Sequence, residues 1–441
     1  MSEKHASESP ATPFSLLEKP GHSSTGLTGE MRRRIFLDQD ALGRHVDAQK
    51  NLDTFGCDLS LIEFPEWQRT KHVHRLHPYL GKFIPQLVEL FLRRFFREGD
   101  TVLDPFAGSG TTLVEASILG IGAFGIELSP FNCLIIQAKT RRHNLATLRR
   151  EVSDALGRLE AFSRELSPDA ELPLFSGERP DAASLAPRFT TDSEYLNAWF
   201  APRALQEVLF YRSILADYEN QDVLKVILSR AARSCRLTPH FDLARPKKPL
   251  RPDEEYYCVK HRRMCRPITE ARKFFRRYSR DTVARIREFG RRRSDADVTV
   301  LQGDARTTPL PEGTRLDGVF TSPPYVGMID YHEQHRYAYE LFPEIERQDG
   351  HEIGPMSLGK SKKAQRAYQA DIAAVFRNLR PFLKPDARLF VVANDRHDLY
   401  PAIGEAAGLR LVDTFHRPVP MRTERDTATY FESIFWFEPA P

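Results

Sequence analysis

Short apolar runs recur along the chain, and several of them end in glycine or in an acidic residue. Residues 101–103 lead into a glycine-rich stretch and then into residues 113–116, which predicts a strand, a tight loop and the start of a helix. Residues 123–126 predict a second strand, which ends at Glu127. Strands that alternate with helices in this way indicate an α/β protein with a doubly wound sheet.

Further apolar patterns predict how the rest of the chain is organised. Helical spacing predicts helices over residues 84–92, 134–162, 195–235 and 364–383, and compact apolar runs predict strands over residues 298–301, 316–320, 387–393, 409–415 and 430–437. Residues 1–30 are rich in Ser, Pro, Thr and Gly and are expected to form a disordered tail. Because a Pro- and Ser-rich connector spans residues 167–190, we predict a catalytic domain of residues 31–165 and 296–441, interrupted by a largely helical, basic insert at residues 166–295.

The composition is that of a globular protein with a large core. Of the 441 residues, 41% are hydrophobic. No apolar run approaches the length of a membrane span, and the polar start at residues 1–5 is unlike a signal peptide, so a cytoplasmic, intracellular protein is expected. The five cysteines are scattered and odd in number, which argues against a disulfide framework.

The glycine-rich stretch, Asp104-Pro105-Phe106-Ala107-Gly108-Ser109-Gly110-Thr111-Thr112, has the features of a cofactor loop. Its two glycines allow a ligand to approach the backbone, and Thr111 or Thr112 is expected to cap a helix whose amide groups face that ligand. A dinucleotide fingerprint would place Gly or Ala where Leu113 stands, and the Lys-Ser/Thr pair of a P-loop is missing. Glu127 follows the next strand, where a ribose diol can donate hydrogen bonds to a carboxylate. Alone, the loop is also compatible with a purely structural turn.

A second motif, Ser322-Pro323-Pro324-Tyr325, follows the buried run at residues 316–320. The two prolines fix φ and remove two amide donors, so the carbonyl groups here are held rigid and free to accept hydrogen bonds. A hydroxyl group and a rigid carbonyl beside an aromatic ring suit a planar group with an exocyclic amine, which donates to the acceptors while the ring stacks on its face. The same residues could form a merely stiff loop, but their pairing with the glycine-rich stretch favours a reaction site.

Together the two motifs resemble those of the amino-methylating DNA methyltransferases, which use S-adenosylmethionine to methylate the exocyclic nitrogen of cytosine or adenine. The cofactor motif of that family, Asp-Pro-Phe-x-Gly-x-Gly, is matched by Asp104, Pro105, Phe106, Gly108 and Gly110. The catalytic motif is matched by Ser322, Pro323, Pro324 and Tyr325. The resemblance covers residues 73–140 and 298–437 and implies a Rossmann-like class I methyltransferase sheet.

The resemblance also implies cofactor contacts outside the two motifs. Glu127 corresponds to the acid that binds the ribose, and Thr111 begins the helix that faces the cofactor. Asp304, at the end of another predicted strand, is expected to accept a hydrogen bond from the adenine amino group, with a turn-forming role as the alternative. The segment at residues 77–85 resembles the one that packs over the methionine end of the cofactor, and its candidate ligands are His77, Tyr79, Lys82 and Phe83.

The positive charge of the chain is concentrated in the insert. Residues 225–295 contain 22 Lys and Arg against 8 Asp and Glu, a net charge of +14, whereas the whole chain has a net charge of +4. Aromatic residues are interleaved with the basic ones, as in Phe274-Phe275-Arg276-Arg277-Tyr278. This pattern favours contact with a nucleic-acid backbone, and a target-recognition region, over a merely solvated helical face.

Three residues of the insert, Cys258, His261 and Cys265, have the look of zinc ligands. Cys235 or His240 could supply a fourth ligand. Because the spacing matches no ordinary Cys-x-x-Cys pair and the fourth ligand is undefined, no metal site is predicted from the sequence.

The resemblance implies direct transfer to a base that has been flipped out of double-stranded DNA. Ser322 and the Pro323 carbonyl would hold the amine with its lone pair toward the sulfonium methyl, while Tyr325 stacks on the base. A serine at the first catalytic position favours the N4 amine of cytosine over the N6 amine of adenine, although many cytosine-amino enzymes have the two motifs in the reverse order. The sequence leaves open whether a cognate restriction endonuclease accompanies the chain.

Two other functions stay open from the sequence. An RNA-base methyltransferase would use the same loop and turn, but no separate RNA-binding module is evident. A DNA-binding specificity subunit without catalytic activity is the other, and the intact motif residues argue against it.

Overall fold

Parallel strands form the centre of the structure. The computed structural model describes residues 48–61, 64, 68, 70–78, 84–166, 188–243, 246–325, 331–355, 359, 361–419 and 430–441. Within this part, the strands of the main sheet are β1 (Thr101–Asp104), β2 (Gly122–Glu127), β5 (Val298–Gln302), β6 (Leu316–Thr321), β7 (Leu383–Ala393), β8 (Leu409–Val419) and β9 (Tyr430–Pro439). Their spatial order is β5-β2-β1-β6-β7-β9-β8, and β9 runs antiparallel to β7.

Helices connect these strands and fill the insert. They are α1 (Ala48–Phe55), α2 (Pro85–Phe95), α3 (Thr111–Ile118), α4 (Pro130–Thr140), α5 (Leu145–Glu165), α6 (Glu194–Trp199), α7 (Pro202–Ser213), α8 (Gln221–Cys235), α9 (Arg272–Gly290), α10 (Tyr331–Gln334), α11 (Arg336–Leu341), α12 (Lys362–Leu379) and α13 (Tyr400–Ala406). A short antiparallel hairpin of β3 (Tyr256–Cys258) and β4 (Arg263–Cys265) lies between α8 and α9. The predicted helical character of residues 195–235 is therefore confirmed. No helix in the described ranges is long and apolar enough to cross a membrane.

The prediction of a single helix over residues 134–162 is wrong, because these residues belong to two helices. The backbone becomes extended at Arg141, which ends α4. Asn144 then caps α5, since its side-chain oxygen accepts hydrogen bonds from the amides of Ala146 and Thr147. The break separates α4, which contacts β2 and β5 of the sheet, from α5, which packs against α7 and α9.

The order of the strands places a crevice between β1 and β6. From β1 the chain moves outward through β2 to β5, whereas β6 and β7 lie on the other side. Val102 and Leu103 of β1 pair in parallel with Gly318 and Val319 of β6. In open parallel sheets, ligands bind beyond the carboxyl ends of the strands where the strand order reverses. Both sequence motifs follow the strands that flank this reversal.

The helix after the glycine-rich loop is anchored by buried charges. Glu115 of α3 is fully buried, and its carboxylate accepts hydrogen bonds from Lys71 Nζ at 2.8 Å and His74 Nε2 at 2.7 Å. The same ammonium lies 2.6 Å from Glu89 of α2. Burial alone would lower the pKa of Lys71, but the two carboxylates outweigh it and the pKa is raised. This network fixes the start of α3 against α2 and residues 72–75.

The contact pattern divides the chain into two units, and the predicted domain boundaries stay predictions. The larger unit consists of residues 63–414 and 433–441, so the insert and the strands of the crevice belong to the same unit. The smaller unit consists of residues 1–62 and 415–432. In its described part, Phe55 packs edge-on against Phe415 and the Asn51 amide donates to the His416 carbonyl. The predicted tail at residues 1–30 lies outside the described residues.

Candidate active site

A cavity lies beyond the carboxyl ends of β1, β2, β5 and β6. Its described lining consists of Asp104, Pro105, Phe106, Ala107, Gly108, Ser109, Thr111, Ile126, Glu127, Leu128, Ser129, Gly303, Asp304, Ala305, Ser322, Pro324, His332, His351, Glu352 and Ile353. The cavity therefore brings the glycine-rich loop, the acid after β2, the acid after β5 and the serine of the second motif to one place. These residues were singled out from the sequence as separate candidates.

The Asp104 carboxylate joins the glycine-rich loop to the strand that leads into the second motif. Its buried carboxylate accepts hydrogen bonds from Thr112 Oγ1 at 2.8 Å and from Thr321 Oγ1 at 2.7 Å. The amide of Phe106 donates to the same carboxylate at 3.1 Å. Burial raises the pKa of Asp104 to about 6, although these hydrogen bonds oppose the shift. One carboxylate thus fixes the loop after β1 relative to the last residue of β6.

The expected capping of α3 by Thr111 or Thr112 is wrong. Gly110 occupies the N-cap position with φ of +78°, a left-handed conformation that glycine adopts without strain, and it provides no capping side chain. The Thr112 hydroxyl instead bonds to Asp104, and Thr111 lines the cavity. Gly110 also allows close packing, because a Cβ atom there would lie 3.0 Å from Ile136 of α4.

Glu127 closes one side of the glycine-rich loop. Its Oε2 accepts a hydrogen bond from the amide of Gly108 at 2.7 Å, where Gly108 has a φ of +52°. Its Oε1 accepts from the Ser129 amide at 2.9 Å and from the Asn132 side chain at 3.1 Å. Burial raises the pKa of Glu127 to about 7 against these hydrogen bonds. Each carboxylate oxygen has two lone pairs, so the group retains capacity to accept from a ligand in the cavity.

Asp304 lines the cavity in an ion pair. Its carboxylate is held by Arg306, whose guanidinium donates at 2.7 Å and also reaches Asp371 at 2.8 Å. Burial alone would raise the pKa of Asp304, but the hydrogen bonds from Arg306 outweigh it and the pKa is lowered. The Arg306 guanidinium therefore favours the ionised form of this carboxylate at the edge of the cavity.

The residues of the second motif differ in burial and in whether they line the cavity. Ser322 and Pro324 line the cavity and are partly exposed. Pro323 is buried, and Tyr325 packs partly buried against the apolar core on one side of the sheet. The hydroxyl group of Ser322 is thus placed on the same cavity as the loop after β1.

The predicted cap over the methionine end of the cofactor lies only partly in the described residues. His77 is fully buried, and its Nε2 lies 3.1 Å from the Tyr337 hydroxyl, while its ring packs against Phe131. It is not among the described residues that line the cavity. Tyr79, Lys82 and Phe83 lie outside the described residues, so their roles stay predictions.

Sequence reasoning missed part of the cavity wall. Neither His332 nor Glu352 was assigned a role from the sequence. The amide of His332 donates to Glu352 at 3.0 Å, and its Nδ1 lies 2.7 Å from the Tyr339 hydroxyl, which in turn lies 2.7 Å from Ser129 Oγ. This chain of hydrogen bonds joins the loop after β2 to the segment after the second motif. Because this chain of hydrogen bonds joins residues that are far apart in the sequence, no local sequence pattern predicts it.

A mostly parallel sheet in this strand order, with a glycine-rich loop and an acid at the crevice, defines a Rossmann-like class I methyltransferase. The sequence model of the N6/N4 methylase family, a DNA methylase, matches residues 29–138. The type II methyltransferase M.MjaII of Methanocaldococcus jannaschii is 40% identical over 439 residues, which cover 86% of this chain and 82% of that protein. The chain therefore belongs to the family of amino-methylating, N4- or N6-type DNA methyltransferases.

Weaker similarities are found to two further methyltransferases. The type II methyltransferase M.MvaI of Kocuria varians is 35% identical over 97 residues, which cover 21% of this chain and 20% of that protein. Among solved structures, the rRNA methyltransferase aviRa from Streptomyces viridochromogenes is similar with a TM-score of 0.29 and 13% identity, over 90% of this chain and 95% of that one. At that TM-score the structural similarity has no weight in the assignment, which rests on the sequence relatives and the strand order.

Proposed function

We propose that this chain transfers a methyl group from S-adenosylmethionine to the N4 amine of a cytosine flipped out of double-stranded DNA. The observation that supports this most directly is the shared cavity. Ser322 of the second motif and the glycine-rich loop line the same space, and Asp104, the last residue of β1, accepts hydrogen bonds from Thr112 of α3 and Thr321 of β6. Such a site can hold a methyl donor and an amine acceptor at a fixed separation.

The cofactor would occupy the side of the cavity formed by β1, β2 and β5. In this proposal the loop at residues 105–108 lies against the cofactor, the Glu127 carboxylate accepts from the ribose hydroxyls, and Asp304 accepts from the adenine amine. The glycine-rich loop and the two carboxylates, all of which line the cavity, suit an adenosine group, which offers hydrogen-bond donors at both ends. When bound, S-adenosylmethionine supplies a methyl group on a positively charged sulfur.

The protein's part in the reaction is to orient the target amine. The lone pair of an exocyclic amine is delocalised into the ring, so the amine is a weak nucleophile. Hydrogen bonds from the amine to Ser322 Oγ and to the Pro323 carbonyl would turn the lone pair away from the ring plane and toward the methyl group. Tyr325 would stack on the flipped base, as the resemblance implies. The methyl group would pass directly to the nitrogen as its bond to sulfur breaks, which leaves a neutral thioether, and the methylated amine would then release one proton to solvent.

The choice of cytosine rests on the serine at position 322, because Ser-Pro-Pro-Tyr is more usual in the family for cytosine, and Asp or Asn at that position for adenine. N6 methylation of adenine is the alternative within the same mechanism. A restriction partner would also accord with the type II relatives.

Identification of the product nucleoside tests the proposal. The purified chain is incubated with labelled S-adenosylmethionine and unmethylated genomic DNA, and the DNA is digested and analysed by mass. N4-methylcytosine is the expected product. N6-methyladenine would overturn the choice of base but not the reaction, and label in RNA alone, or in neither nucleic acid, would overturn the proposal.

The affinity for S-adenosylmethionine is expected to depend on the ionisation of Glu127. The ribose hydroxyls donate to a carboxylate, so binding favours the ionised form. Because the pKa of Glu127 is about 7, the Kd is expected to rise as the pH falls below 7. One titrating group with that pKa weakens binding about tenfold between pH 8 and pH 6. Isothermal titration calorimetry at several pH values measures this dependence.

Glu127→Gln is the control for that pH profile. The variant should bind the cofactor more weakly and retain the titrations of the ligand and of Asp104, which can then be subtracted. A wild-type profile that parallels the variant's between pH 8 and pH 6 would contradict the assignment of Glu127 to the ribose.

We further propose that the insert at residues 166–295 contacts the DNA backbone. Several basic residues of the segment are used internally: Arg230 is buried against Asp281, for example, and Arg276 pairs with Glu160. Others form an exposed stripe along one face of α9, at successive spacings of four, three and seven residues. The stripe consists of Lys273, Arg277, Arg280 and Arg287. A row of this kind can neutralise successive phosphates.

Removal of three charges from that stripe is expected to weaken DNA binding at all sequences. For the Lys273→Gln, Arg277→Gln, Arg280→Gln variant, the slope of log K against log salt should fall in magnitude by about 2 to 3. Fluorescence anisotropy with a labelled duplex at several salt concentrations measures it. The matched control replaces three exposed basic residues of α12, Lys362, Lys363 and Arg366, by Gln. Equal slopes for the two triple variants would contradict the assignment.

A further inference from the structure

Four potential metal ligands converge next to the β3–β4 hairpin. They are His240, Cys258, His261 and Cys265, and one ligand atom from each lies within 4.8 Å of all the others. They come from the turn after α8, the end of β3, the hairpin turn and the end of β4. The sequence left open whether Cys235 or His240 would complete the set. Cys235 is buried in α8 with its thiol directed to the Ala232 carbonyl, and His240 is the residue that joins the cluster.

The distances within the cluster are those of a tetrahedral site. His261 Nδ1 lies 3.5 Å from Cys258 Sγ and 3.5 Å from Cys265 Sγ. Bond lengths of about 2.3 Å for zinc to sulfur and about 2.0 Å for zinc to nitrogen place the two atoms about 3.5 Å apart across a tetrahedral angle. An imidazole nitrogen has one lone pair, so it cannot accept a proton from both thiols at once. A cation bound by all three atoms accounts for the two equal distances.

His240 provides an independent observation. Both of its ring nitrogens are buried, and neither has a hydrogen-bond partner within the described part of the chain. The ring packs edge-on against His261 with the centroids 5.0 Å apart. The side chain as a whole is half-buried, and two buried ring nitrogens without hydrogen bonds are energetically unfavourable. A metal ion would use one of these nitrogens.

The hairpin itself lacks the apolar core that would otherwise hold it. Each strand has three residues, and an isolated hairpin of that size is at best marginally stable. Its large apolar side chains point outward: Tyr257, Val259 and Met264 are 58%, 52% and 56% exposed. Cys258, in contrast, is fully buried. Cys265 is half-buried, so the hairpin covers its cysteines more than its large apolar residues, which is the arrangement of a metal-stabilised loop rather than of a small core.

We propose that His240, Cys258, His261 and Cys265 bind one structural zinc ion. Two thiolates and two imidazoles in tetrahedral geometry select Zn²⁺ over oxygen-preferring cations such as Mg²⁺ and Ca²⁺. With four protein ligands the site has no open position for a substrate, so the ion stabilises the hairpin and takes no part in methyl transfer. Zinc binding releases the thiol protons, because the ligands are thiolates.

Metal analysis of the untagged full-length chain, purified under reducing conditions without chelator, tests the proposal. About one equivalent of zinc per chain is expected by plasma mass spectrometry. Replacement of zinc by Co²⁺ should give the visible d–d bands of a tetrahedral site together with thiolate charge-transfer absorption near the ultraviolet. A chain that contains less than a fifth of an equivalent of zinc and takes up neither ion would overturn the proposal.

Variants identify the ligands. Cys258→Ser and Cys265→Ser should each lose most of the zinc, and His240→Ala should weaken zinc retention against a competing chelator at least tenfold. The matched controls are Cys57→Ser and Cys235→Ser, which should retain one equivalent. Zinc retained by the Cys258→Ser, Cys265→Ser double variant would overturn the assignment. If a ligand variant fails to fold, the cobalt spectrum of the wild-type chain still decides the coordination, and neither measurement depends on methyl transfer or DNA binding.

Discussion

Replacement of Ser322 by alanine is expected to lower the rate of methyl transfer by about a hundredfold or more, while the Kd for S-adenosylmethionine changes less than about threefold. The hydroxyl group is one of the two acceptors proposed to orient the target amine, and loss of one preorganised polar group in an active site typically lowers kcat by about 10² to 10³. The cofactor side of the cavity is formed by other residues, so its affinity should not change. Single-turnover kinetics with saturating cofactor and DNA measure the rate of the chemical step.

The matched control is Ser213→Ala, at an exposed serine at the end of α7 whose hydroxyl bonds to a carbonyl of its own helix. It should retain the wild-type rate. A Ser322→Ala variant with the wild-type single-turnover rate would remove Ser322 from the mechanism. A variant that loses cofactor affinity and rate together would instead indicate that the loop after β6 shapes the cofactor side of the cavity.

Gly318→Ala is expected to destabilise the fold by about 3 kcal/mol or more, enough to prevent folding of a chain of ordinary stability at 37 °C. A Cβ atom at position 318 would overlap the carbonyl oxygen of Arg388 in the neighbouring strand β7, and it would lie 2.5 Å from the ring of Phe96. Backbone of a central strand cannot move aside without breaking the ladder between β6 and β7. Urea unfolding followed by circular dichroism measures the free energy of unfolding.

Gly157→Ala makes the same chemical change where there is room. Gly157 lies in the middle of α5, is exposed, and no described atom lies within 4 Å of the added methyl group. That variant should be more stable than the wild type by about 0.5 to 1 kcal/mol, because alanine favours a helix over glycine. Equal free energies of unfolding for the two variants would show that β6 can shift at position 318 to accept a methyl group, and would contradict the prediction.

The sequence was sufficient to predict the main sheet, because apolar runs that end in glycine or an acid are typical of strands whose carboxyl ends form a binding crevice. The cavity accordingly contains Glu127, Asp304 and Ser322, three residues far apart in the sequence. The break at Asn144 was also available from the sequence, since asparagine is a strong helix N-cap and it follows a polar cluster.

Other features depend on contacts that no local pattern contains. Thr112 was expected to cap α3, but its hydroxyl bonds to Asp104, and the second partner of Asp104 is Thr321, 217 residues away. The sequence alone does not distinguish His240 from Cys235 as the fourth ligand of the cysteine cluster. The choice depends on the position of the turn after α8, which lies beside the hairpin. His332 and Glu352 meet at the cavity through the fold of residues 331–353, whose sequence has no repeating pattern.

The pairing of β1 with β6 has a consequence for how such a gene can be arranged. The two motifs meet because their strands are neighbours in space, through the pairs Val102–Gly318 and Leu103–Val319, and not because of the chain that joins them. A gene that encoded the β6 half before the β1 half would produce the same two neighbours, the same buried carboxylate between them and the same cavity. The order of the two motifs along the chain therefore does not by itself change the geometry of the cavity.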